Sequence, residues 1–220
     1  MGKNKLIRFA ENLTFPTLVQ PKIIYPPADH PLRGRWSADF FHNDHPLILE
    51  LGCGRGEYTI ELAKRFPQRN FIGIDWKGAR LWRGAKTAHE EQITNAGFLR
   101  IQIQNLTSYF AEGEVSAIWI TFPVPHMEKA RERKRVTSPR FLSLYRAVMA
   151  DDGRIHLKTD SLPLYEYTLG ILASKNITPD VHTPDVYAFP ADDILSIKTT
   201  YEKLWLKSGA KICYLSFLLQ

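Results

Sequence analysis

One short stretch constrains the fold of this chain more than any other. An apolar run from Leu47 carries an acid at Glu50 and breaks at Leu51 into Gly52-Cys53-Gly54-Arg55-Gly56, and a second run from Asn70 ends in Gly73-Ile74-Asp75. A buried strand that stops at three alternating glycines demands a sharp turn, which glycine makes because it tolerates positive φ. A second strand ending in an acid then builds the carboxyl edge of a parallel pair, the edge at which open α/β sheets bind ligands. The spacing predicts a nucleotide-like ligand, with the glycine turn beneath it and Asp75 on a ribose.

The rest of the chain repeats this alternation. Helices are predicted over 57–66, with Ile60, Ala63 and Phe66 on one face before Pro67, and over 77–94, with Leu81, Ala85, Ala88 and Ile93. Strands are predicted over 70–75, 98–102, 115–121 and 154–159. A helix over 139–149 closes on the turn Asp151-Asp152-Gly153, and one over 161–174 takes Asp160 or Ser161 as its N-cap. Two late strand-like runs cover 177–182 and 211–217. The pattern predicts one doubly wound α/β domain, Rossmann-like, with a mostly parallel sheet and a late antiparallel strand. Residues 47–220 are read as this domain. Residues 1–46 hold six prolines and no apolar periodicity, and are read as an extended basic arm offering Lys3, Lys5, Arg8, Lys22, Arg33 and Arg35 to phosphates.

Composition narrows the function classes. With 220 residues, 44% of them hydrophobic and 24% charged, the chain is an ordinary globular one. No apolar run approaches the roughly 18 residues that span a bilayer. The basic start lacks a following apolar stretch, and Leu6 stands where a myristoylation motif wants Ser or Thr. Cys53 and Cys213 show no metal-ligand spacing, the seven histidines form no zinc-like cluster, and the expectation is a cytoplasmic protein with free thiols and no metal. A net charge of +6 favours a polyanionic partner, nucleic acid above all.

The glycine turn departs from the dinucleotide fingerprint, because the third glycine is Gly56 and Glu57 occupies the position the fingerprint reserves for glycine. Glu50 would repel a pyrophosphate but attract a cationic group. S-adenosylmethionine, with an ammonium and a sulfonium, suits it. Gly52 and Gly54 would let the backbone approach the ligand, Asp75 would accept from ribose hydroxyls, and Trp76 could flank the adenine.

Further motifs sharpen this. Leu49-Glu50-Leu51-Gly52-Cys53-Gly54, Gly73-Ile74-Asp75, Ile120-Thr121-Phe122-Pro123-Val124-Pro125, Lys129-Ala130-Arg131, His156-Leu157-Lys158-Thr159-Asp160 and Thr199-Thr200-Tyr201-Glu202 occur in this order. Together they resemble the bacterial tRNA (guanine-N7)-methyltransferases. The resemblance implies a class I methyltransferase that moves a methyl from S-adenosylmethionine to N7 of a guanine in the tRNA variable loop. It implies Glu50 and Asp75 as cofactor acids, and Lys129, Asp160, Thr199, Thr200, Tyr201 and Glu202 as tRNA or guanine contacts. Three positions depart from the family pattern. Val124 replaces an aspartate credited with cofactor contact and catalysis, Gln102, or a position nearer Asn105, replaces an acid beside the adenine, and His126 replaces a tryptophan.

No catalytic residue is therefore assigned, and Asp160 is a candidate substitute. The stretch from Glu128 to Arg135 holds five basic residues, with Lys129 and Arg131 read as phosphate contacts at the ligand edge. Glu202 could pair with the N1–H and amino edge of a guanine. Trp36, Trp82, Trp119 and Trp205 are read as packing residues. Two alternatives stay open: a relative that binds tRNA or cofactor without catalysis, and a methyltransferase for another RNA or a small substrate.

Overall fold

The alternation resolves into a single twisted sheet. The computed structural model describes residues 3–22, 24, 27–188 and 194–219. Met1, Gly2 and Pro26, which entered the sequence reading, lie outside the described residues, as does the side chain of Lys3. Among the described residues the strands are β1 (Leu18–Val19), β2 (Leu47–Leu51), β3 (Asn70–Ile74), β4 (Ala96–Leu99), β5 (Val115–Thr121), β6 (Met149–Thr159), β7 (Val181–Thr183) and β8 (Cys213–Leu218). Their order across the sheet is β1-β4-β3-β2-β5-β6-β8-β7. The first six strands pair in parallel, and β8 runs antiparallel to both β6 and β7.

The helices are α1 (Lys3–Glu11), α2 (Glu57–Arg65), α3 (Gly78–Glu90), α4 (Pro139–Arg146), α5 (Leu162–Ser174) and α6 (Thr200–Lys207). Side-chain alternation along the central strands builds a core on each face. Leu47, Leu49 and Leu51 pack with Leu142 and Tyr145 of α4 and Leu172 of α5. Ile48 faces the other way, with Tyr58 and Leu62 of α2, Leu81 and Ala85 of α3, and Ile197 and Leu206 around α6. Each fully buried aliphatic side chain stabilises by about 1.5–3 kcal/mol. No described helix is long and apolar enough to cross a membrane.

Several predicted boundaries move, each for a physical reason. Helix α3 stops at Glu90 rather than residue 94, because Gln92 adopts a left-handed φ of 54°. Strand β4 starts earlier than expected, at the small residues Ala96 and Gly97, whose weak strand preference hid it. Helix α4 ends at Arg146, and Met149 begins β6. The Asp151-Asp152-Gly153 turn is a bulge inside that strand, since Val115 pairs with Met149 but Ala117 pairs with Arg154. The cap of α5 is Ser161, whose side chain accepts from the Leu164 amide at 3.3 Å.

The proline-rich segment, read as an extended basic arm, carries regular elements of its own. It contributes helix α1, packed on α3, and strand β1, which adds to the sheet beside β4. Trp36 is fully buried, donates its indole N–H to the Tyr109 carbonyl at 2.8 Å and stacks on Phe110. The Glu114 carboxylate accepts from the backbone amides of Gly34, Trp36 and Ala111. Prolines conceal this order, because they break periodicity without preventing a segment from packing.

Candidate active site

The glycine turn leaves β2 with φ of 76° at Gly52 and 57° at Gly54, which strains any residue but glycine. A Cβ at Gly52 would meet no atom within 4 Å, so the turn faces open space that side chains at 52 and 54 would enter. Gly73 on β3 serves differently: a Cβ there would come within 2.8 Å of Thr59 Oγ1 and 2.9 Å of Cys53 Sγ. Its missing side chain lets Thr59 reach Glu50.

Glu50 lies at the floor of a cleft of about 240 Å³, and is 3% exposed. Its Oε2 accepts from the Thr59 amide at 2.8 Å and from the Thr59 hydroxyl, and its Oε1 accepts from the Thr121 hydroxyl at 2.6 Å. A carboxylate offers about four acceptor sites, so three are filled by protein donors. Burial nevertheless pushes its pKa up to about 7, with the three hydrogen bonds opposing and nearby Asp75 adding to the rise. The folded value exceeds the unfolded 4.5, so the group favours folding fully below that value, and its contribution is lost as pH rises through 7. The loss amounts to about 3 kcal/mol. A buried acid with a raised pKa in the floor of a cleft is a candidate functional position.

Asp75 fixes the turn from β3. One of its oxygens accepts from the Gly54 amide at 3.1 Å and the other from the Lys77 amide at 2.7 Å. Trp76, 40% exposed, lines a second hollow of about 120 Å³ together with Gln102, Arg100, Tyr109 and, from the N-terminal segment, Pro21 and Lys22. Gln102 accepts from the Gln104 side-chain amide at 2.6 Å. Asp75 thus stands in sequence between residues of the two hollows.

Helix α6 forms the opposite wall. Thr199 caps it by accepting from the Glu202 amide at 3.2 Å, with Glu202 returning the bond to the Thr199 amide. Thr199, Tyr201 and Trp205 line the cleft with Phe122, and Trp205 lies 5.1 Å from Phe122 and 6.1 Å from Tyr201 between ring centroids. Tyr201 is 55% exposed. Thr200 turns away, donating its amide and hydroxyl to Glu57 at 2.6 and 2.7 Å. Trp205, read from sequence as packing, is partly buried against Phe122 and Tyr201 and also lines the cleft. Phe122, Thr121, Arg55 and Arg80 line it too, and none was given a role from sequence.

Glu202 corrects the sequence reading. It is fully buried and bonded to Lys158 at 2.7 Å, with Tyr187 donating to the same oxygen at 2.5 Å. Lys158 also donates to the carbonyls of Leu195 and Ile197. In this arrangement the Glu202 carboxylate has no face for a guanine; it ties α6 to β6. The Thr199-x-x-Glu202 capping-box spacing was the signal available in the sequence.

The remaining residues sit at the same sheet edge. Thr121 pairs with Lys158, so Asp160 follows at the carboxyl end of β6, outside the cleft lining. Partial burial holds its carboxyl above the usual value although the side chain keeps solvent contact. Val124 is 67% exposed on the loop after β5, whose Phe122 and His126 take φ of 49° and 45°. Lys129 and Arg131 are exposed on a 3-10 turn over Lys129–Lys134. Arg135 is not available to phosphates: it is buried, donates to the carbonyls of His126 and Met127, and lies 4.2 Å above the Tyr167 ring. Cys53 and Cys213 are free and buried. Among the described residues no group of three or more His, Cys, Asp or Glu could hold a metal.

The parallel sheet with its late antiparallel strands and the glycine cleft at its carboxyl edge define a class I methyltransferase architecture. The same architecture is seen in the crystal structure of a 30S ribosomal A1408 methyltransferase from an uncultured bacterium, at a TM-score of 0.58, 18% identity, 82% of this chain and 91% of that one. A family model described as "Putative methyltransferase" matches residues 44–215. The chain is 56% identical over 189 residues to a tRNA (guanine-N(7)-)-methyltransferase of Porphyromonas gingivalis, covering 85% of this chain and 77% of the relative. It is 47% identical to a protein of the same name from Christiangramia forsetii over 98% of both chains. The chain belongs to the tRNA (guanine-N7)-methyltransferase family.

Proposed function

We propose that this protein transfers a methyl group from S-adenosylmethionine to N7 of a guanine in the tRNA variable loop, in the cytoplasm. The observation that carries the cofactor half is Glu50, an acid kept in the floor of a glycine-lined cleft at a cost to folding. S-adenosylmethionine supplies an electrophilic methyl group on a cationic centre. Glu50 would hold positive charge, Asp75 would accept from ribose hydroxyls with its remaining lone pairs, and Trp76 and Gln102 would flank the adenine. The N-terminal segment would complete the adenine side through Pro21 and Lys22. In this reading residues 47–220 are the methyltransferase domain and residues 1–46 a wrap that finishes one wall.

The acceptor half rests on membership of the family and on the aromatic wall. Flat faces of Phe122, Tyr201 and Trp205 beside Glu50 suit a purine. Guanine N7 has an in-plane lone pair and no proton, so the chain needs no general base. Its work is to orient the base and exclude water, which can supply several kcal/mol of the acceleration, on the order of 7–11 at best. The absence of an acid at Val124 is compatible with such a mechanism.

Incubation of the purified protein with labelled S-adenosylmethionine and unmodified tRNA should yield 7-methylguanosine in the variable loop, mapped by reduction and aniline cleavage. Label at another base, or cofactor binding without incorporation, would overturn the assignment. The variant Val124→Asp should raise turnover about 1.4- to fivefold, because a solvated carboxylate on the exposed loop after β5 contributes only about 0.2–1 kcal/mol. A wild-type chain without turnover that gains it with Val124→Asp would instead mark a non-catalytic relative. Lys129→Ala combined with Arg131→Ala should weaken tRNA binding and lower the dependence of log affinity on log salt by about 1.4–1.8, as expected for two lost phosphate contacts. Untouched affinity would make that turn a merely solvated face.

A further inference from the structure

A second basic surface lies beside the cleft, on the sheet face opposite to the helix that follows the Lys129–Lys134 turn. Helices α2 and α3 and the start of α6 wall a groove of about 540 Å³, more than twice the cleft's volume. It shares Arg55 and Glu57 with the cleft, and Thr200 lines it while its neighbours Thr199 and Tyr201 line the cleft. The packing separates the two basic surfaces. Residues of α2 and α3 belong to one core cluster with Ile197 and Leu206, whereas Phe141, Leu142 and Tyr145 of α4 belong to the other.

The charges in the groove are not balanced. Its acids are already engaged: Glu57 accepts from Thr200, and Glu61 and Glu91 both face Lys64, at 3.8 and 2.6 Å. Arg55, Arg83, Lys198 and Lys203 line it, are solvent-exposed and form no ion pair among the described residues. Lys198 is steadied 4.5 Å above the Tyr187 ring. Four exposed, dispersed cations match the phosphates of a polynucleotide backbone, which positions a strand without reading its sequence.

We propose that the groove between α2, α3 and α6 carries a second stretch of the tRNA backbone, so that the RNA is held on both faces of the sheet edge with the target base over the cleft between them. The proposal rests on the reading that tRNA is the substrate. Helix α6 then links the two surfaces, presenting Lys203 to the backbone and Tyr201 and Trp205 to the base.

The test measures tRNA binding rather than methylation. Arg83→Ala with Lys203→Ala should bind tRNA roughly tenfold more weakly at 0.1 M salt, with the salt dependence lowered by about 1.4–1.8. S-adenosylmethionine affinity and the circular dichroism spectrum should stay as in the wild type. The charge-preserving pair Arg83→Lys with Lys203→Arg should bind tRNA within about twofold of wild type. Unchanged affinity and salt dependence in the folded alanine variant would overturn the proposal, as would equal loss in the charge-preserving pair. A wild-type chain that binds tRNA but transfers no methyl would defeat the functional assignment alone.

Discussion

Replacement of Glu50 by glutamine is expected to weaken S-adenosylmethionine binding about 10- to 100-fold and to remove its pH dependence. Glutamine keeps the length of the side chain and one acceptor oxygen for Thr59 or Thr121, but cannot carry negative charge. A charge-assisted contact is worth about 1.5–3 kcal/mol, and each 1.4 kcal/mol is tenfold in affinity. The pH effect follows from the burial-raised pKa of about 7. The carboxylate is the form that attracts a cation, so wild-type affinity should fall roughly tenfold from pH 8 to pH 6. The ligand-free protein should show the opposite trend in stability, losing about 3 kcal/mol as pH rises from 4.5 through 7. Calorimetric titration with the cofactor and its demethylated product, at pH 6, 7 and 8, checks both. If only the sulfonium is sensed, the product's affinity will not change on substitution; if the ammonium is sensed, both ligands weaken together. Wild-type affinity that is flat across this range would exclude Glu50 as the cation's partner.

Lys158→Met should be the most destabilising single change near the site. Lys158 and Glu202 are both fully buried, and burial lowers the lysine's pKa while Glu202 opposes the fall. Removing the ammonium strands the Glu202 carboxylate in the interior and leaves the Leu195 and Ile197 carbonyls without their donor. Breaking one side of such a pair costs about 3–5 kcal/mol. For a chain of this size that lowers Tm by roughly 6–20 °C. The double variant Lys158→Met, Glu202→Gln should recover at least half of the loss, since glutamine keeps the capping-box bond to Thr199 without a buried charge. Thermal unfolding of the three proteins decides it; a single-variant loss under about 4 °C would show that the pair does not anchor α6.

How much of this was legible in advance differs from residue to residue. The β2-turn-α2-β3 unit was readable because its signals are local. Apolar runs, glycines and an acid lie within 30 residues, and the turn geometry depends on those residues alone. Strand β5 was equally plain, since seven residues from Val115 to Thr121 leave no other choice of element. The N-terminal segment was not legible: its helix is short, its strand has two residues, and both depend on β4 and α3 for their existence.

The sequence by itself determined the glycine turn and the family, because Glu50, the three glycines and Asp75 are close along the chain and the turn they form depends on local spacing. Only the tertiary structure decided what the Thr199–Glu202 motif does. Thr199 and Tyr201 face the cleft, Thr200 clamps to Glu57 from 143 residues away, and Glu202 is withdrawn into an ion pair with Lys158. The capping-box spacing marks Thr199 and Glu202 as a helix start but does not say that Glu202 is buried against a lysine. That placement is decided by the buried partner on β6, since the Lys158 ammonium compensates the burial of the Glu202 carboxylate.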